Sequence, residues 1–225
     1  TYTDLSGHYP EPADCMIAGT AREYEYITED CGNYVCTPKE VALTGYPRAD
    51  ALIRDPGKPE RLVMVMPTWR SSLPARLGGD ATFSPSQRKQ IAHSSFLKTW
   101  KAFFHSRIVV EVLQRHGCMI LFWPHKMIQA YLPFLAPPGH IIVPDMSRGE
   151  SIQDAFRRSM AYITDYSSAV FDFAMLRRPV LYYHFESPEE LAGEHNNSAP
   201  KFDVEKNGFG PVARTEAELC AALDA

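Results

Sequence analysis

"AYITDYSSAVFDFA", Ala161 to Ala174, decides the fold. Ala161 to Thr164 has the length and apolar character of a short strand. It runs into an acid, a tyrosine and two adjacent serines. Beyond them Ala169, Val170, Phe173 and Leu176 recur at helical spacing and make one apolar face, which predicts a helix over Ser167 to Leu176. A strand turning straight into a helix is the local step of an α/β sheet.

The same step repeats on either side. "RLVMVMP" (Arg61 to Pro67), "GCMILFW" (Gly117 to Trp123), "HIIVP" (His140 to Pro144) and "PVLYY" (Pro179 to Tyr183) are further apolar runs of strand length. They are continuous rather than alternating, which suits strands covered on both faces. "CMIAG" (Cys15 to Gly19) and "VALTG" (Val41 to Gly45) read as short strands upstream of a polar loop, "RDPGKPE" (Arg54 to Glu60). Helical spacing fills Phe96 to His116 in one or two pieces, with shorter candidates at Ile128 to Leu135 and Ser151 to Ser159. "PSQRKQIAHSS" (Pro85 to Ser95) reads as a helical start or a loop. Thr215 and Glu218 form a capping-box pattern ahead of the final helix. Strands alternating with helices predict a parallel α/β sheet, with all strand carboxyl ends on one edge.

Ligands of such sheets bind beyond the carboxyl ends. The residues just past each strand are therefore informative: Thr68 and Arg70 in "PTWRSS", His125 and Lys126 in "WPHK", then "PDMSRGES", "TDYSS", and His184 and Glu186 in "YHFES". Taken singly, each has an ordinary structural reading. Arg70 can be a salt-bridged arginine, His125 a hydrogen-bonded histidine at a strand end, and Asp165 with Ser167 a helix cap. Taken together on one edge they suggest a site. Ser167 and Ser168 would open a helix, where the first N–H groups lack intrahelical partners and attract anions. Neither a GxxxxGK[ST] nor a GxGxxG motif is present.

The 225 residues are enough for a sizeable core, and 45% hydrophobic with 22% charged residues is an ordinary globular composition. A formal net charge of -4 argues against a broad nucleic-acid surface. The five cysteines form no CxxC pair, so reduced thiols are the simplest reading. No apolar run reaches the ~20 residues of a membrane span, and no signal peptide is visible. The first residue is Thr1, not Met, which suggests a processed chain or a piece of a longer one.

"ITDYSSAVFDFAMLRRPVLYY" resembles the C-terminal signature of the CDP-glycerol glycerophosphotransferases, the teichoic acid primases and polymerases. "LTGYPRADAL", "VMVMPTWRSS" and "FGPVARTEAEL" resemble further family segments in the same order, so the likeness runs from about residue 14 to 225. It implies a Rossmann-like parallel-sheet domain, the C-terminal half of a GT-B glycosyltransferase-type fold. Residues 1–60 would be an interdomain segment and the start of the domain, and 61–225 the nucleotide-binding domain. By motif, Arg70 with Thr68 beside it would face a donor or acceptor phosphate. His125 would take the place of the pyrophosphate-binding histidine and stabilise the leaving phosphate. The family has His followed by Pro there, whereas Pro124 precedes and Lys126 follows His125. Asp165, Ser167 and Ser168 would line the diphosphate or glycerol site, with Asp172 next in the helix. Glu186 stands where many members carry Asp.

The implied reaction moves a polyol phosphate from a CDP-activated donor to a lipid-linked or glycan acceptor. It uses no cofactor, and no acidic cluster has metal-ligand spacing. The implied location is cytoplasmic, at most peripheral on the inner membrane face. The family's catalytic base is the histidine of a Trp-His-Gly motif in an N-terminal acceptor domain. No such motif occurs here, and His8 in "SGHYP" does not match it. Two other readings stay open: a UDP-sugar transferase or epimerase of the same architecture, and a non-catalytic nucleotide-binding domain.

Overall fold

A computed structural model describes residues 14–29, 36–74, 83–146, 149–191 and 203–225. The sequence readings of His8 and Cys31, and of Ser147 and Arg148 in "PDMSRGES", lie outside the described residues. The chain divides into two units, Thr1–Pro56 and Gly57–Ala225.

In the first unit β1 (Met16–Ala18) pairs in parallel with β2 (Val41–Leu43), and α1 (Ala21–Glu29) connects them. Ala18, Ile27 and Val41 make its small core. Tyr46 Oη donates to Glu23 Oε2 at 2.6 Å, fixing the turn that leads into α2 (Pro47–Arg54). Gly45 in that turn has φ +77°, a left-handed conformation that favours glycine, and Pro47 starts the helix without losing a useful N–H.

The second unit carries five parallel strands in the order β4-β3-β5-β6-β7. They are β3 (Leu62–Met66), β4 (Met119–Phe122), β5 (Ala161–Thr164), β6 (Val180–Tyr183) and β7 (Val212–Ala213). The register sets Val65 opposite both Phe122 and Ile163, and Ile163 opposite Leu181. These side chains share one face with Val63, Ile120 and Tyr183. They are buried with residues of α4 (Ser95–His105), α5 (Arg107–Arg115) and α11 (Glu216–Asp224). Trp100 of α4 is fully buried there, edge-on to Tyr183 with ring centroids 5.6 Å apart. On the opposite face Tyr162 packs against Phe156 of α7 (Ile152–Arg158) and Phe173 of α8 (Val170–Ala174). Both faces are covered, which is why β3 is buried at every position and its sequence does not alternate.

Several elements differ from the sequence reading. "HIIVP" is not a strand; only Ile142 bridges Leu121. Pro138, Gly139 and Pro144 flank too short a run, and Pro144 has no N–H to offer a ladder. The helix expected over Ser167 to Leu176 is α8 alone. Ser167 Oγ accepts the N–H of Ala169 at 3.2 Å and keeps the preceding residues in a turn. Ile128 to Leu135 begins as a 3-10 turn, Gln129–Tyr131, and only then forms α6 (Leu132–Leu135). "PSQRKQIAHSS" forms α3 (Pro85–His93), closed by a capping box of Ser84 and Gln87. The strand β7 has no counterpart in the sequence reading. The approach to it needs Gly210, where a Cβ would lie 1.8 Å from the carbonyl oxygen of Val180. The short helices α9 (Pro188–Leu191) and α10 (Val204–Asn207) complete the described elements. No helix among the described residues is long and apolar enough to cross a membrane.

Candidate functional site

The strand order places a switch point between β3 and β5. The chain leaves β3 for β4 on one side, then returns to build β5, β6 and β7 on the other. The two connections diverge there and open a crevice at the carboxyl edge. Its walls are the segments after β3 and β5, which carry Thr68 and Arg70, and Asp165 to Ser168.

The floor of this crevice is a buried ionic network. Arg70 is 2% exposed and Asp165 0%. Arg70 Nε donates to Glu186 Oε1 at 2.8 Å, and Nη2 donates to Asp165 Oδ2 at 2.9 Å and also to Glu186 Oε2. Arg70 Nη1 donates to the carbonyl oxygen of Thr68 at 2.6 Å. Asp165 Oδ1 accepts from the backbone N–H of Thr68 at 2.8 Å and of Tyr166 at 2.6 Å. The Phe96 and Tyr166 rings lie 4.9 and 5.3 Å from the guanidinium carbon. One arginine thus ties together the segments after β3, β5 and β6. Thr164 Oγ1 adds a bond from β5 to the carbonyl oxygen of Met66 in β3, at 2.8 Å.

Charge in this network is set by burial against pairing. Burial alone would lower the Arg70 pKa, but Asp165 and Glu186 more than offset it, so the guanidinium stays charged. Burial raises the Glu186 pKa, and Arg70 pulls it back only in part.

The sequence-predicted residues therefore occupy different layers. Thr68, Arg70, Asp165 and Glu186 are joined in one network. Arg70, expected to face a phosphate, has every guanidinium nitrogen bonded inside the protein. The salt-bridged alternative is the arrangement found. Asp165, expected to line the ligand, likewise has both oxygens engaged below the surface. Ser167 and Ser168 form the rim, half-buried and exposed respectively. Their backbone N–H groups donate to no other described residue. His125 lies on the same edge beyond β4. Its Nδ1 accepts the N–H of Met127 at 3.3 Å, which assigns the proton of the neutral ring to Nε2. Asp172 is half-buried within α8.

Three features escaped the sequence reading. Thr68 Oγ1, at the wall of the crevice, is buried with no hydrogen-bond partner among the described residues. The rings of Tyr166 and His184 stack, with centroids 4.3 Å apart and 24° between planes. Beyond β4 a cleft of about 500 Å³ is lined by Phe83, Arg88, Pro124, Phe134 and Pro144 among others. Proximity of "WPHK" and "HIIVP" to a strand end is the one sequence signal that pointed toward it. Among the described residues no group of three or more His, Cys, Asp or Glu side chains converges as metal ligands do.

The model of the family described as CDP-Glycerol:Poly(glycerophosphate) glycerophosphotransferase matches residues 14–225. The chain is similar to the minor teichoic acid biosynthesis protein GgaB of Bacillus subtilis, with 27% identity over 97% of this chain and 23% of that protein. It is 25% identical to a teichoic acid glycerol-phosphate transferase of Staphylococcus aureus, over 82% of this chain and 44% of the relative. The chain thus spans less than half the length of either relative. A solved structure of the wall teichoic acid polymerase TagF shares the fold, with a TM-score of 0.58 and 20% identity, over 94% of this chain and 49% of that one.

Proposed function

Because the chain belongs to the CDP-glycerol:poly(glycerophosphate) glycerophosphotransferase family, we propose that it is the donor-binding half of a transferase. It moves glycerol phosphate, or a related polyol phosphate, from a CDP-activated donor to an acceptor hydroxyl. The observation that carries this reading is the crevice between β3 and β5, with the N–H groups of Ser167 and Ser168 on its rim, which donate to no other described residue. Those groups suit the diphosphate. The α8 helix is only 5 residues long, so hydrogen bonding rather than a helix dipole does most of the work. The aromatic cleft beyond β4 suits a nucleobase on the same edge.

In this reading the acceptor oxygen bonds to the β-phosphorus and the bond from that phosphorus to the bridging oxygen breaks. CMP leaves with the bonding electron pair. The chain contributes position and charge stabilisation. Ser167 and Ser168 hold the diphosphate, His125 donates toward the leaving phosphate, and Asp172 borders the rim. Arg70, Asp165, Glu186 and Thr68 keep the three loops in register from below. The acceptor's proton passes to a base on a preceding acceptor domain of the same protein. The acceptor itself is a lipid-linked or glycan hydroxyl, which places the enzyme at the inner membrane face.

Thermal unfolding of this chain with CMP, CDP-glycerol, CDP-ribitol and UDP-N-acetylglucosamine tests the proposal. A cytidine ligand at about 100 times its Kd should add ~2.7 kcal/mol of stability. Replacing Ser167 and Ser168 together by Ala should remove most of that shift while leaving the unliganded Tm within a few degrees. Stabilisation by the UDP-sugar alone would favour a sugar transferase or epimerase. Response to none would favour a non-catalytic domain.

A further inference from the structure

His184 is held from several sides in one orientation. It comes directly after β6, and its backbone N–H still donates to the carbonyl oxygen of Ala213 at 2.8 Å. Its ring stacks on Tyr166 and meets the edge of Tyr182, with centroids 5.9 Å apart at 67°. Its Nε2 lies 3.0 Å from the carbonyl oxygen of Asp165. A carbonyl oxygen can only accept, so Nε2 carries the ring proton. In the neutral ring Nδ1 is then a lone pair without a proton. No described residue donates to it. Nor does it belong with the buried, partnerless side-chain atoms of the described residues, which are Thr68 Oγ1, Trp100 Nε1 and Tyr162 Oη. The residue is half-buried at the carboxyl end of β6.

The surroundings keep the ring neutral. Burial lowers the His184 pKa, Arg214 beyond β7 lowers it further, and Asp165 and Glu205 of α10 oppose them. Tyr166 and Tyr182 are the other titratable groups against the ring, and burial raises both of their pKa values. A neutral Nδ1 repels phosphate oxygens, which are acceptors themselves. Its match is a ligand hydroxyl or amine. The Tyr166 ring that His184 stacks on is one residue from the Ser167 rim, where the diphosphate is placed. The polyol hangs from the β-phosphate and offers only hydroxyls.

We propose that His184 is a specificity-determining residue, whose Nδ1 accepts a hydrogen bond from a hydroxyl of the donor's polyol. This inference rests on the CDP-donor reading above. It assigns recognition of the transferred group to the end of β6, apart from the residues that hold the diphosphate.

The test is calorimetric titration of this chain with CDP and with CDP-glycerol. His184→Phe keeps the ring stack and removes the acceptor. It should weaken CDP-glycerol about fivefold, the worth of one neutral hydrogen bond of about 1 kcal/mol, and leave CDP unchanged. His184→Asn, whose Oδ1 takes the place of Nδ1, should restore most of the difference. If the Phe variant does not fold, His184→Leu supplies the same comparison. Equal losses for CDP and CDP-glycerol, or an unchanged ratio in the variant, would overturn the inference while leaving the CDP-donor reading intact. A parent chain that binds neither ligand would overturn both.

Discussion

Arg70 is the residue on which the carboxyl edge depends. It pairs with two carboxylates that are themselves buried. A buried network of this kind adds little net stability over a well-packed apolar cluster, but losing one partner strands the others. Arg70→Ala should therefore destabilise the chain by about 3–5 kcal/mol, read as a lower urea midpoint. The stranded Glu186 sets the sign of the pH response. Its carboxyl is already raised by burial, so the folded state holds its proton more tightly than the unfolded chain does. Ionising it then costs stability as pH rises from about 4.5 through its folded pKa. The variant's deficit should shrink as pH falls through that window. A deficit independent of pH would mean that the carboxylates find other partners. The sequence showed that Arg70, Asp165 and Glu186 sit near strand ends, but not that they meet. The partners lie 95 and 116 positions from Arg70, and their contact follows from strand order, which local pattern does not encode. The Tyr166–His184 stack is hidden from the sequence for the same reason.

Elements closed by nearby side chains were legible in the sequence. Thr215 Oγ1 accepts the N–H of Glu218 at 3.2 Å, and Glu218 Oε2 accepts the N–H of Thr215 at 3.3 Å. Ser94 and Ser106 cap α4 and α5 in the same local way, which resolves Phe96 to His116 into two helices. Ser106 Oγ also donates to Glu216 Oε1 at 2.6 Å, joining the start of α5 to the start of α11. Thr215→Ala should cost about 1 kcal/mol in urea unfolding, and Thr215→Asp, which keeps a capping acceptor, considerably less. A loss as large from Asp as from Ala would show that the methyl or the local backbone matters, not the cap. Elements set by competition were less legible. The turn at Ser167 wins over an extra helical turn through one side-chain bond to Ala169, and Ile142 gains one bridge where a strand was expected. At Ser167 a balance of a single hydrogen bond decides, which lies below what apolar spacing can resolve; at Ile142 the flanking prolines cut the run short.

At the scale of the whole second unit, continuous apolar runs separated by helical segments predicted a parallel sheet covered on both faces, and five strands are so arranged. The order β4-β3-β5-β6-β7 opens a crevice at the edge of that sheet, because it puts the switch point between the "PTWR" and "TDYSS" segments. Membership of the glycerophosphotransferase family supplies the chemistry that such a crevice would serve. The chain spans less than half the length of either curated relative, and in the reading proposed above the donor is held here while acceptor and base come from elsewhere. The most direct test is a crystal structure of this chain soaked with CDP-glycerol. The diphosphate is expected at the carboxyl edge between β3 and β5, with its oxygens about 2.7–3.2 Å from the backbone nitrogens of Ser167 or Ser168. A diphosphate seated anywhere else on the chain would contradict the donor-site proposal.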